Sequence, residues 1–173
     1  SERGQVVAAV TGDRQRREGG NEESAAAYRR CLALAPKHAG AWLGLGHMLK
    51  TVGQQAEGVA AYRRCIALEP DFGEAYYSLA NLKTYRFDDA AIEQMQRQLE
   101  RAALNDTSRV NFLFALGKAF EDRKDYTQAW RYYEEGNATQ RMLVSYDPVQ
   151  TETINDELIE FFNAGFFHAT AGL

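Results

Sequence analysis

The stretch Ala27-Tyr28-Arg29-Arg30-Cys31-Leu32-Ala33-Leu34-Ala35-Pro36 returns nearly letter for letter as Ala61-Tyr62-Arg63-Arg64-Cys65-Ile66-Ala67-Leu68-Glu69-Pro70. Tyr62 follows Tyr28, and Pro70 follows Pro36, by 34 positions. A fixed period of that length, with each unit closing on proline, predicts pairs of helices stacked on copies of themselves, because one such pair cannot bury its apolar face alone. Proline suits the boundary: it has no amide hydrogen to donate and it biases the preceding residue away from the helical region.

Outward from that repeat, the chain divides into units of about 5–38, 39–72, 73–109 and 110–143. In the first, a weak opening helix over Gln5 to Glu18 leads through Gly19-Gly20 to a second helix from about Glu22 to Ala35. That helix carries Ala26, Tyr28, Cys31, Leu32 and Leu34 as its apolar stripe. The second unit places Trp42, Leu45-Gly46, Leu49, Gly58, Tyr62 and Pro70 in the slots of the tetratricopeptide consensus. Trp42 and Tyr62 are expected between the paired helices, with Gly46 and Gly58 where two backbones approach. The third unit starts in register with Tyr76, Leu79 and Ala80. Its second helix is expected from Phe87-Asp88-Asp89-Ala90 through Ile92, Met95, Leu99, Ala102 and Leu104. Leu116-Gly117 follows Leu79-Ala80 by 37 positions, which predicts about one additional helical turn in this unit. The fourth unit restores the pattern with Leu113, Phe120, Tyr126, Ala129 and Tyr133, its last helix extending toward Val144. Beyond it, Asp147-Pro148 opens a helix whose face of Ile154, Leu158, Phe161 and Phe162 is expected to cover the end of the array over 144–173. The predicted fold is all-α, a right-handed tetratricopeptide-repeat superhelix with a C-terminal capping helix.

Composition narrows the function. The 173 residues are 45% hydrophobic, enough for a continuous core, and the formal net charge of -4 lacks the basic excess that a nucleic acid or anionic membrane partner requires. No apolar run reaches the roughly 18 to 20 residues that span a bilayer, and no signal pattern opens the sequence. The missing initiator methionine suggests a piece of something longer. Cys31 and Cys65 occupy one slot in successive units, about 8 to 10 Å apart and beyond disulfide reach, and read as small core residues in a reducing, cytoplasmic setting.

Several stretches are more specific than the repeat consensus. These are Leu49 to Gln55, Gly73 to Phe87, Phe114 to Asp122, Tyr132 to Asn137 and the Phe-rich region of Phe161 to Phe167. Together they resemble bacterial proteins in which tetratricopeptide repeats precede a sulfotransferase domain. The resemblance covers most of the chain from about Tyr28 onward. It implies that the full-length protein is a sulfotransferase using 3′-phosphoadenosine 5′-phosphosulfate (PAPS), held by a phosphate loop expected beyond Leu173. No such loop lies between Ser1 and Leu173, so no cofactor is expected for these residues and they are read as non-catalytic.

Other candidate chemistry is weaker. Gly44 to Thr51 has glycines ahead of Lys50-Thr51, but the spacing is wrong for a phosphate loop and the repeat requires helix there. His38, His47 and His168 lack metal-site spacing, and no nucleophile, base and acid converge. Asp88-Asp89 reads as a helix start, and Arg29-Arg30 with Arg63-Arg64 as a solvated outer stripe. The remaining feature is the concave surface lined by first helices. It is expected to present Leu43, His47 and Lys50, then Tyr77, Asn81 and Tyr85, then Phe114, Lys118 and Glu121. Aromatics mixed with polar groups suit a protein or peptide partner, including the sulfotransferase domain that the resemblance implies. A stand-alone adaptor is the alternative. Chaperone-adaptor repeats clamp a C-terminal carboxylate with Lys and Asn, and only Asn81 and Lys118 partly match that pattern, since Leu43 and Tyr77 stand where a clamp lysine is expected.

Overall fold

The computed structural model describes residues 20–143. The chain divides into two compact units, Ser1–Thr139 and Gln140–Leu173; beyond the last four residues of the final helix, the second lies outside the described residues. The opening helix expected before Gly19 and the capping helix expected over 144–173 both fall outside them too.

The described residues form seven helices and no strand: α1 over 20–34, α2 Ala39–Thr51, α3 Gln55–Leu68, α4 Gly73–Ala80, α5 Asp89–Leu99, α6 Asp106–Asp122 and α7 Tyr126–Leu143. Helices α2 and α3 pack as one pair, α3 leads onto α4, and α4 lies along α6, so the chain is an all-α solenoid of tetratricopeptide-type pairs. Side chains at the starts do the capping. His38 Nδ1 accepts from Ala41 N at 3.1 Å, Asp88 Oδ1 from Ala91 N at 2.8 Å, and Asn105 Oδ1 from Ser108 N at 2.8 Å.

Glycine and tyrosine fix the crossing within each pair. A β-carbon on Gly46 would stand 2.5 Å from Tyr62 Cε1, and one on Gly117 would stand 2.5 Å from Tyr133 Cε1. Both couples span 16 positions, so a tyrosine ring lies against the same backbone position in the second and fourth units. Tyr62 is fully buried there, and Gly58 sits close to Gly46 O, as the sequence predicts. Between neighbouring units, Tyr28 lies against Gly44. Its counterpart Tyr62 lies beside Ser78, 34 positions after Gly44.

Two expectations are corrected. The buried seam of α1 runs through Ala25, Tyr28 and Leu32, at helical spacings of three and four, which turns Cys31 outward and leaves Leu34 90% exposed. Only Cys65 is a core cysteine, and burial pushes its thiol up to about 12. In the third unit, α5 stops at Leu99 instead of running to Leu104, which is buried from the connection that follows. The starts of α4 and α5 follow those of α2 and α3 by 34, and α6 begins ten residues before Leu116 where α2 and α4 begin six before Leu45 and Leu79, so the longer third unit adds about one helical turn, as the first turn of α6.

Candidate functional site

The first helices α2, α4 and α6 supply one face, and its aromatic side chains form a strip. Tyr77 and Phe114 have ring centroids 6.2 Å apart, and Phe114 and Tyr133 follow at 6.3 Å. Tyr77 is 38% exposed on α4, while Phe114 and Tyr133 are half-buried on α6 and α7. The Tyr133 hydroxyl donates to Glu121 Oε2 at 2.8 Å; burial first, and then that bond, hold it well above the ordinary phenol range.

Upstream of the strip, His47 links two units. Its Nδ1 lies 3.0 Å from the Tyr62 hydroxyl and its Nε2 3.4 Å from Glu74 Oε1. Downstream, Lys118 Nζ bonds Asp122 Oδ1 at 2.5 Å and lies 3.8 Å from Glu121. The Asp122 carboxylate is mostly buried and also meets Arg86 at 3.4 Å, so Lys118 is a held cation and its ammonium is already engaged.

The structure brings His47, Tyr77, Phe114, Lys118 and Glu121 together along this face and separates the rest. Leu43 is buried in the core with Tyr76 and Leu79, because an apolar side chain one turn before His47 falls into the seam between α2 and α4. Lys50 is exposed in the last turn of α2. Asn81 is the C-cap residue of α4, and Tyr85 lies beyond that helix in the connection, edge-on to Phe87 at 5.1 Å. Neither belongs to the body of a first helix, since α4 ends at Ala80. A cleft of about 380 Å³ continues the face between the starts of α4 and α6, lined by Glu69, Asp71, Glu74 and Asn111 among others.

Sequence reasoning missed a second surface. One cleft of about 570 Å³ lies between α1 and α3, and another of about 390 Å³ between α3 and α5. Seven positions of their walls correspond at the 34-residue period: Arg29 with Arg63, Leu32 with Ile66, Ala33 with Ala67, Trp42 with Tyr76, Leu45 with Leu79, Glu57 with Ala91, and Ala60 with Gln94. Arg29 is no freely solvated charge, because it meets Glu57 at 3.0 Å. The signal was present in the repeated Arg pairs. The partner of Arg29, Glu57, lies on the next helix pair and is not repeated, because Ala91 stands at its counterpart.

Among the described residues, no three His, Cys, Asp or Glu side chains gather as a metal site, and no helix is long and apolar enough to cross a membrane. The family profile of the tetratricopeptide repeat matches residues 39–72. No curated protein matches the chain. Among solved structures, the chain is similar to that of MamA, at 18% identity and a TM-score of 0.38 over 78% of this chain and 97% of that one. Repeats of the tetratricopeptide kind are protein-interaction scaffolds and are typically non-catalytic.

Proposed function

We propose that the first-helix face binds a protein or peptide segment, with Tyr77 and Phe114 as its anchors. The observation that carries this reading is the aromatic strip Tyr77–Phe114–Tyr133, open at Tyr77 and flanked by Lys118 and the His47–Glu74 pair. Aromatic rings give large contact area at low entropic cost, and polar groups beside them pair with a peptide backbone. By the sequence resemblance, the partner is a sulfotransferase domain of the same protein, in which PAPS would be bound outside these residues, and the compartment is the bacterial cytoplasm. A stand-alone adaptor for other proteins is the second reading, favoured by the match of the general repeat profile to 39–72. The coding sequence following Leu173 separates the two.

The test is a peptide library selected against the full chain, with the enriched peptides titrated against variants. Tyr77→Ala together with Phe114→Ala is expected to weaken binding by about 2 kcal/mol or more in total, and Arg29→Ala with Arg63→Ala to change it little. The reverse ranking would move the interface to the second-helix face.

A further inference from the structure

We propose that the cleft between α3 and α5 is a binding site for a carboxylate carried on a short aliphatic body, separate from the first-helix face. The inference comes from comparing the two repeat-related clefts. Between α1 and α3, two polar groups of the wall are satisfied within the protein: Arg29 meets the Glu57 carboxylate at 3.0 Å, and Trp42 Nε1 donates to Pro36 O at 2.9 Å. One repeat later both arrangements fail. Ala91 stands where Glu57 would answer Arg63, and among the described residues Arg63 has no ion pair or side-chain hydrogen bond. Tyr76 replaces Trp42, and its hydroxyl, buried in the wall of the cleft, has no hydrogen-bond partner. Pro70, the counterpart of Pro36, lines the same cleft without accepting that proton.

Two donors are therefore left over around a space of about 390 Å³, a size that suits a small ligand or one terminal residue of a peptide. A carboxylate answers both, accepting from the guanidinium and from the phenol. A buried donor without an acceptor is costly, so a ligand that supplies the acceptor recovers that cost on binding. Ile66, Ala67, Leu79 and Ala90 offer the aliphatic body an apolar wall. Burial pushes the Tyr85 hydroxyl up, the Arg63 charge pulls it down and the Asp88 charge pushes it up, which places both charges around one wall. Asp88 caps α5 through Ala91 N and repels an anion from the α5 end, leaving the Arg63 end as the seat. The Tyr76 hydroxyl is closed to solvent in the empty cleft, so a side chain at the mouth must turn as the carboxylate enters. Arg63, the exposed one, is the group that the ligand recruits.

The probes are N-acetyl-leucine, its carboxamide, and a tetrapeptide ending in leucine with a free or amidated terminus, each titrated into the full 173-residue chain and followed by amide chemical shifts. Saturable shifts around Arg63, Tyr76 and Ala91 with a free carboxylate, and none with the amides, are expected. Response to N-acetyl-leucine identifies a free acid as sufficient; response to the tetrapeptide alone identifies a peptide C-terminus. Arg63→Met should weaken binding at least tenfold. Ala91→Glu, which installs the carboxylate that Glu57 gives Arg29, should do the same at an unchanged melting temperature. Tyr76→Phe should weaken it severalfold without lowering the melting temperature, because the lost hydroxyl had no partner. Equal shifts from acid and amide, no saturable shift from any carboxylate, or undiminished binding by Ala91→Glu would overturn the proposal.

Discussion

Tyr62 and Tyr133 each lie on a glycine sixteen positions earlier, and that couple sets the close crossing of the second and fourth helix pairs. Gly46→Leu forces the Tyr62 ring off the α2 backbone and is expected to destabilise by about 1 to 3 kcal/mol, read as a lowered thermal midpoint. The couple was legible in the sequence because a glycine beside leucine and a tyrosine at fixed distance recur. Leu43 was misread because its slot resembles those of Tyr77 and Phe114 in position alone; whether a side chain there meets solvent or the seam depends on its length and polarity. The cysteines show the same limit. Identical slots gave one exposed thiol and one buried, with the buried Cys65 pushed from its ordinary 9.0 up to about 12. At pH 8 a thiol reagent should therefore modify Cys31 alone in the native protein and both cysteines in denaturant. The folded state holds the Cys65 proton more tightly than the unfolded chain. Its contribution to stability is complete below pH 9.0 and declines as pH rises toward about 12, an alkaline fall in melting temperature.

The connection between first and second helix explains why the third pair departs from its neighbours. In the second and fourth units the turn passes through a left-handed residue, Gly53 at φ 84° and Lys124 at φ 63°, 71 positions apart. The corresponding residue of the third unit is Phe87, whose ring is buried against Tyr76 and Tyr85 and whose backbone does not take that conformation. Helix α4 accordingly stops at Ala80, and residues 81–88 cross to α5 in an irregular path. Arg123 ties that path down, bonding Asp89 at 2.6 Å and Phe87 O at 3.2 Å. An L-residue in the left-handed region costs about 1 to 2 kcal/mol. Glycine there removes the strain but loosens the unfolded chain by about 0.4 to 1 kcal/mol. Lys124→Gly is thus expected to stabilise by roughly 0.5 to 1 kcal/mol in denaturant unfolding. The 37-residue offset and its extra turn were readable from Leu116-Gly117; its location was not, because the added turn opens α6 ahead of the first repeating slot.

At the scale of the molecule, the period that identified the fold also sets what the array can present. First helices gather an aromatic strip, second helices leave clefts on either side of α3, and only the first surface announced itself in the sequence, because its aromatics stand out against a consensus of small residues. Partner choice was not legible, since it depends on which donors remain unanswered after folding, such as the Tyr76 hydroxyl. The correspondence of Tyr28 on Gly44 with Tyr62 on Ser78 has a genetic consequence. An in-frame deletion of 39–72 joins α1 to α4 through a contact that matches the one it replaces, because Tyr28 then meets Ser78 as Tyr62 did. A deletion of 73–109 has no such match. It brings α3 onto an α6 stripped of its cap residue Asn105 and its first turn, and sets Ala115 where Ser78 stood beside Tyr62. The length of this chain is therefore open to change in whole steps on one side of α4 and closed to it on the other.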